Sequence, residues 1–110
     1  MDEIAKVKKI LKDLGIRLDL KGYHYILKGV MLIKNDFDDG KTARSFMVLY
    51  AEIADIFNTE THCVERCIRH AIDVAKTNKT NTFDELFGDA KKITVSTFIC
   101  VIADHIAQID

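Results

Sequence analysis

The chain has 110 residues, the size of one domain that can bury its own hydrophobic core. Hydrophobic residues make up 48% of it and proline is absent, so the composition favours uninterrupted helices over a turn-rich β fold. The formal net charge of −1 argues against a domain held to nucleic acid by a basic surplus, but it allows a single helix to present a local set of cations.

The composition also bears on the cellular compartment. Three cysteines without a secretion signal argue against a disulfide framework. No apolar run approaches the ~18 residues that span a bilayer. We therefore expect a cytoplasmic protein with no membrane segment.

Hydrophobic periodicity predicts an all-α fold, a compact bundle of about six helices forming one domain over residues 1–110. A first helix over residues 4–14 ends at Gly15, and a second runs from about Asp19 to Lys34 before a loop over 35–40. Gly22 and Gly29 lie on one face of the second helix. Since glycine costs a helix about 1 kcal/mol relative to alanine, we expect a neighbouring helix to approach closely there.

The third helix is predicted from about Thr42 to Phe57, with Phe46, Leu49, Ile53 and Phe57 inward, and the fourth over about 61–77. Thr82 and Glu85 form a capping box that begins a short helix ended by Gly88. The last helix, from about Thr94 to Ile109, is apolar over more than one stripe, which indicates deep burial or a subunit contact.

The fourth helix separates into two faces. Its apolar face contains Val64, Cys67, Ile68, Ala71, Ile72, Val74 and Ala75, and its polar face contains Glu65, Arg66, Arg69, His70 and Asp73. A short helix and the polar turn over residues 58–61 precede it. This order of scaffold helix, turn and polar helix is typical of a helix-turn-helix.

The polar face has the side chains that contact base edges in a major groove. Arg66 and Arg69 suit guanine, Glu65 can accept from cytosine, and His70 could reach a base or a phosphate. The alternative is a solvated face with intrahelical ion pairs. At the turn, Thr59, Thr61 and His62 could position a phosphate or simply cap the helix.

Other chemistries are less well supported. Cys63, Cys67 and His70 share one edge of the fourth helix and could bind zinc, but the sequence nominates no fourth ligand. We interpret the cysteines as small buried hydrophobes and expect no metal and no cofactor. No phosphate loop, nucleophile elbow or metalloprotease motif is present, so we expect no enzymatic activity.

These residues resemble a known family, the C-terminal DNA-binding effector domain of the stage-zero sporulation response regulator. The matching segments follow one another in order and are Lys21-Gly22-Tyr23 with Tyr25, Val48-Leu49-Tyr50, Glu52-Ile53-Ala54, Phe57-Asn58-Thr59, Val64-Glu65-Arg66, Ile68-Arg69-His70-Ala71-Ile72, Val74-Ala75, Leu86-Phe87-Gly88, and Phe98-Ile99 with Ala103-Asp104. The resemblance implies six helices with a helix-turn-helix in the third and fourth. It also implies head-to-tail dimers on tandem DNA boxes through the last helix, contact with RNA polymerase, and control by a separate phosphorylated receiver domain.

The chain departs from the family's pattern at three positions and in one segment. His62 and Cys63 replace a polar and a basic residue, Met47 stands where a lysine is common, and residues 76–85 diverge. We expect the chain to be either an effector domain without its receiver or a small protein lacking that switch. We expect a sequence-specific, double-stranded-DNA-binding transcription regulator. The alternative is a dimerisation or protein-interaction module of the same fold with weak or lost DNA binding.

Overall fold

Six helices form the chain in a computed structural model, which describes residues 2–88 and 92–108. They are α1 Glu3–Asp13, α2 Lys21–Asp38, α3 Phe46–Ile56, α4 Thr61–Asn78, α5 Asn81–Phe87 and α6 Val95–Gln108. No strand occurs in the described ranges. The radius of gyration of 12.9 Å matches the ~13 Å of a compact domain of this length. The predicted all-α bundle is confirmed.

The helix α2 lies at the centre and packs against α1, α3, α4 and α6. Its two glycines allow this. A Cβ atom built at Gly22 would lie 2.3 Å from the backbone oxygen of Cys67 in α4. One built at Gly29 would lie 3.2 Å from the Cδ1 atom of Ile99 in α6. The predicted close approach of neighbouring helices is thus found at both positions.

The sequence-based boundary between the second and third helices was wrong. The helix α2 continues past Lys34 to Asp38, because polar residues of its last turns have partners in the fold. Lys34 pairs with Asp38 and with Glu3 of α1. At the other side of the connection, α3 starts at Phe46 and not at Thr42, since the hydroxyl of Ser45 caps it by accepting from the Val48 amide at 3.2 Å.

A partly buried arginine, Arg44, holds α2 and α3 together. The Nη2 and Nε atoms of Arg44 donate to the carboxylate of Asp36 at 2.7 and 2.8 Å, and Nη1 donates to Glu52 of α3 at 2.8 Å. Nη2 also donates to the Leu32 carbonyl at 3.2 Å. The guanidinium holds the pKa of Asp36 at about 2, below its usual value. Both helices are therefore fixed by one charged side chain in the segment that joins them.

The C-terminal helices differ from the prediction in one detail. Thr80, not Thr82, caps α5, because its hydroxyl accepts from the Phe83 amide at 3.2 Å. Gly88 follows α5 at φ +60°, as the predicted stop requires. The predicted end of the last helix, Ile109, lies outside the described residues. In α6 the buried residues are Val95, Phe98, Ile99, Ile102, Ala103 and Ile106. None of the described helices is both long and apolar enough to cross a membrane.

Candidate nucleic-acid interface

A tight turn connects α3 to α4. Asn58 adopts the left-handed conformation at φ +54°, which asparagine tolerates better than most residues. The Thr59 amide then donates to the Ala54 carbonyl at 2.8 Å, closing the end of α3. The chain reverses over these residues, so α4 packs against α3. This is the scaffold helix, turn and second helix that the sequence predicted.

One face of α4 is packed and the other faces solvent. Its buried residues are Val64, Ile68, Ala71, Ile72 and Ala75. Arg66, Arg69 and His70 are exposed and Glu65 is half-buried, as the spacing predicted. The buried face holds the helix on α2 and α3, so the two arginines start from a rigid support.

The polar face of α4 has a weak internal ion pair. Arg69 Nη2 lies 3.9 Å from Glu65 Oε2, and about half of each side chain is exposed to solvent. Tyr50 of α3 lies near this ion pair. Burial raises the pKa of its phenol, the charge of Glu65 raises that pKa further, and the charge of Arg69 lowers it. An exposed pair at this distance contributes little to stability, so Glu65 and Arg69 are able to exchange partners.

The start of α4 is open. Glu60 is the N-cap residue, and no described side chain caps the amides of the first turn. Thr61 and His62 are exposed, whereas Thr59 is half-buried. The His62 Nε2 atom lies 3.4 Å from Glu60 Oε2. Uncapped amides at a helix N-terminus are hydrogen-bond donors for an anion.

The structure adds residues that sequence reasoning missed. A cleft of about 290 Å³ is lined by Lys21, His24, Tyr25, Phe57, Asn58 and Thr59. In this cleft the exposed Lys21, at the start of α2, lies beside the turn between α3 and α4. Phe57, predicted to point inward, is 41% exposed, and its ring meets Tyr25 edge-on at 5.1 Å. Hydrophobic periodicity could not predict the contact between Phe57 and Tyr25, since the contact depends on how α2 packs beside the turn.

Two other features lie outside this polar face. A groove of about 940 Å³ includes Lys8, Lys12 and Arg17. It also includes Gly15, whose carbonyl accepts from Asn78 Nδ2 at the opposite end of α4. Cys63 and Cys67 are half-buried rather than fully buried.

The sequence matches a known protein family over most of its length. The family model described as "Sporulation initiation factor Spo0A C terminal" matches residues 7–106. The chain belongs to this family. It is a family of DNA-binding effector domains of a sporulation transcription factor and not a family of enzymes.

Membership confirms the resemblance derived from the residues and agrees with the six-helix fold. The matched range contains α3, the turn and all of α4, and therefore all seven candidate residues. Met47, in the first turn of α3, is 83% exposed. This apolar side chain therefore lies on the surface and not in the core.

Proposed function

We propose that this single domain is a sequence-specific DNA-binding transcription regulator whose helix α4 enters the major groove. The observation that carries the proposal is the pair Arg66 and Arg69, exposed on one face of a helix whose other face is buried. Two guanidinium groups on a rigid helix next to a tight turn have the geometry of a recognition helix.

The base contacts follow from side-chain chemistry. Arg66 and Arg69 each donate two hydrogen bonds to the O6 and N7 atoms of guanine, and Glu65 accepts from the N4 amino group of cytosine. His70, exposed one residue beyond Arg69, reaches a base edge or the neighbouring phosphate. The Glu65–Arg69 pair at 3.9 Å is weak enough to separate when DNA offers better partners.

The phosphate contacts lie at the start of α4. The uncapped amides of Thr61 and His62, together with their side chains, face the position where a backbone phosphate would approach. Thr59 lines the adjacent cleft with Lys21. Lys21 thus provides a cation at the turn, where His62 and Cys63 supply no permanent positive charge.

The proposed function also includes a dimer on adjacent DNA sites. Two copies on adjacent boxes would raise the effective concentration of each recognition helix. The last helix is the surface we assign to this contact, since Cys100 and Val101 are half-buried beside its buried stripe. The family implies contact with RNA polymerase beyond α4, but residues 76–85 diverge from the family's pattern there, so we assign no residue of this chain to that contact.

The test is a titration of the domain with two duplexes, one carrying the DNA box that the family binds and one with the box scrambled. Fluorescence anisotropy at low and moderate salt gives both affinities. Arg66→Ala and Arg69→Ala should each cost about 1–3 kcal/mol of discrimination between the duplexes, the value of a bidentate base contact. Arg17→Ala is the matched control, because Arg17 is an exposed arginine paired with Asp19 outside α3 and α4.

The outcomes separate the two candidate functions. Equal binding to both duplexes, or wild-type discrimination by the Arg66 and Arg69 variants, rejects base recognition by α4. Absence of DNA binding by an assembled dimer instead supports the interaction module. The exposed Met47 favours that second candidate, because an apolar side chain on α3 suits a protein surface better than a phosphate.

A further inference from the structure

Three side chains with different ligand atoms meet at the N-terminus of α4. The carboxylate of Glu60, the imidazole of His62 and the thiol of Cys63 place one ligand atom each within 4.8 Å of the other two. This is the group of three that meets the distance among the described residues. It differs from the trio of Cys63, Cys67 and His70 that sequence spacing suggested.

The backbone fixes the starting points of these side chains. Glu60 is the N-cap residue of an 18-residue helix and has an extended backbone. The Cys63 amide donates to the Glu60 carbonyl at 3.0 Å, so one turn brings residues 60 and 63 together.

The separation between the ligand atoms of Glu60 and His62 agrees with a shared ion. Bonds of about 2.0–2.2 Å from zinc to nitrogen and oxygen place two tetrahedral ligands roughly 3.3–3.5 Å apart. The observed distance between His62 Nε2 and Glu60 Oε2 is 3.4 Å. Their side chains are 64% and 74% exposed, so an ion can reach the site from solvent.

The chemical types of the three ligands indicate which metal ion would bind. Thiolate and imidazole favour zinc among the abundant biological cations, whereas magnesium and calcium take oxygen ligands. We infer that Glu60, His62 and Cys63 form a zinc site with three protein ligands and a water molecule in the fourth position. The sequence provided no fourth protein ligand, and an open site of this kind does not need one.

Zinc binding at this site changes the local charge. The hydrated ion loses waters as the bonds to oxygen, nitrogen and sulfur form, and the thiol of Cys63 releases its proton to solvent. With a neutral imidazole, the trio changes from a charge of −1, carried by Glu60, to zero. Zinc therefore cancels the negative charge of Glu60 beside the first-turn amides. The inference does not depend on DNA binding, since the ion is measured without DNA.

The experiment uses the whole chain after treatment with a chelator. Zinc affinity is measured by competition with a chromogenic chelator, and stoichiometry by native mass spectrometry. Cobalt serves as the spectroscopic substitute, because a thiolate ligand gives a charge-transfer absorption. We expect one zinc per chain, and at least about tenfold weaker binding for Cys63→Ser and for His62→Gln.

Cys67→Ser and His70→Gln are the matched controls, since both positions lie on the same helix outside the cluster. They should keep wild-type affinity and the thiolate band. Circular dichroism checks that all four variants keep their helices. Absence of stoichiometric zinc overturns the inference. Wild-type zinc affinity in Cys63→Ser, or equal losses in Cys67→Ser, would also overturn it.

Discussion

Arg44 shows how one residue sets the position of the scaffold helix. Its guanidinium contacts Asp36 of α2 and Glu52 of α3, and only 11% of the Asp36 side chain is exposed. Replacing one partner of such a pair leaves a charge without compensation in a poorly solvated place. The orientation of α3, and through it the turn to α4, therefore depends on an interaction that lies outside the proposed DNA-contacting face of α4.

This pair predicts a specific dependence of stability on pH. The pKa of Asp36 is 3.8 without the fold and about 2 within it, held down mainly by the hydrogen bond from Arg44. Because the folded value is the lower one, the stabilisation is complete above the unfolded pKa and disappears as pH falls through about 2. It amounts to about 2 kcal/mol. Urea unfolding should show this loss between about pH 5 and pH 2.

The Asp36→Asn variant isolates the contribution. It should be less stable than the wild type at neutral pH, and the difference should shrink as the pH falls. Asp19→Asn is the control, since the Asp19 carboxylate is 62% exposed and pairs with Arg17 on the surface. A constant difference between wild type and Asp36→Asn across this range would contradict the assignment to Asp36.

At the scale of helices, the crossing of α2 and α4 depends on Gly22. A methyl group there would meet the backbone oxygen of Cys67 at 2.3 Å, which only a movement of α4 could relieve. We expect Gly22→Ala to lower the free energy of unfolding by about 1–3 kcal/mol, despite the better helix propensity of alanine. Urea unfolding measures the change.

Gly29→Ala is the matched substitution in the same helix. Its methyl group would meet the Cδ1 atoms of Ile99 and Ile53 at 3.2 and 3.4 Å, and such side-chain ends can shift. The gain of about 1 kcal/mol in helix propensity should offset much of that cost. Equal destabilisation by the two substitutions would show that backbone contact does not govern the crossing.

The sequence predicted those features of a helix that depend only on the helix's own hydrophobic periodicity. The two faces of α4 are the clearest case, because burial of Ile68 and exposure of Arg69 follow from 3.6 residues per turn alone. The end of α2 was not predictable in this way. In the sequence, Asp36 is typical of a loop. In the fold it lies within α2, where Arg44, eight positions later, donates a hydrogen bond to its carboxylate.

The candidate site divides in the same manner. Its helical part, from Thr61 to His70, was predicted because it is one continuous segment. Lys21 was missed as a neighbour of Thr59, since their proximity arises from the packing of α2 beside the turn. The sequence also did not predict that Thr80, and not Thr82, caps α5. Both are threonines close to the start of this helix, and only the fold shows which hydroxyl accepts a hydrogen bond from a first-turn amide.

For the whole molecule, the distribution of charge matters more than its sum. The net charge is −1. The exposed cations on the proposed DNA surface are Lys21, Arg66 and Arg69, and a fourth exposed cation, Lys76, lies further along the same helix in the last turn of α4. Lys8, Lys12 and Arg17 lie instead around the groove at the far end of α4. The domain should therefore bind DNA with few phosphate contacts and rely on base recognition for much of its affinity.

The salt dependence of binding tests this distribution. Each neutralised phosphate contributes about −0.9 to the slope of log K against log salt. Four cations at most therefore give a slope no steeper than roughly −4 for one domain on one box. A scrambled duplex should show a similar slope at lower affinity, because phosphate contacts are independent of sequence. A slope near −6 would require additional cations in contact with phosphates. If Lys8→Ala and Lys12→Ala returned the slope to about −4, the additional phosphate contacts would lie at the groove that includes Gly15. In that case DNA would contact two faces of the bundle, and recognition by α4 alone would be an insufficient description of the complex.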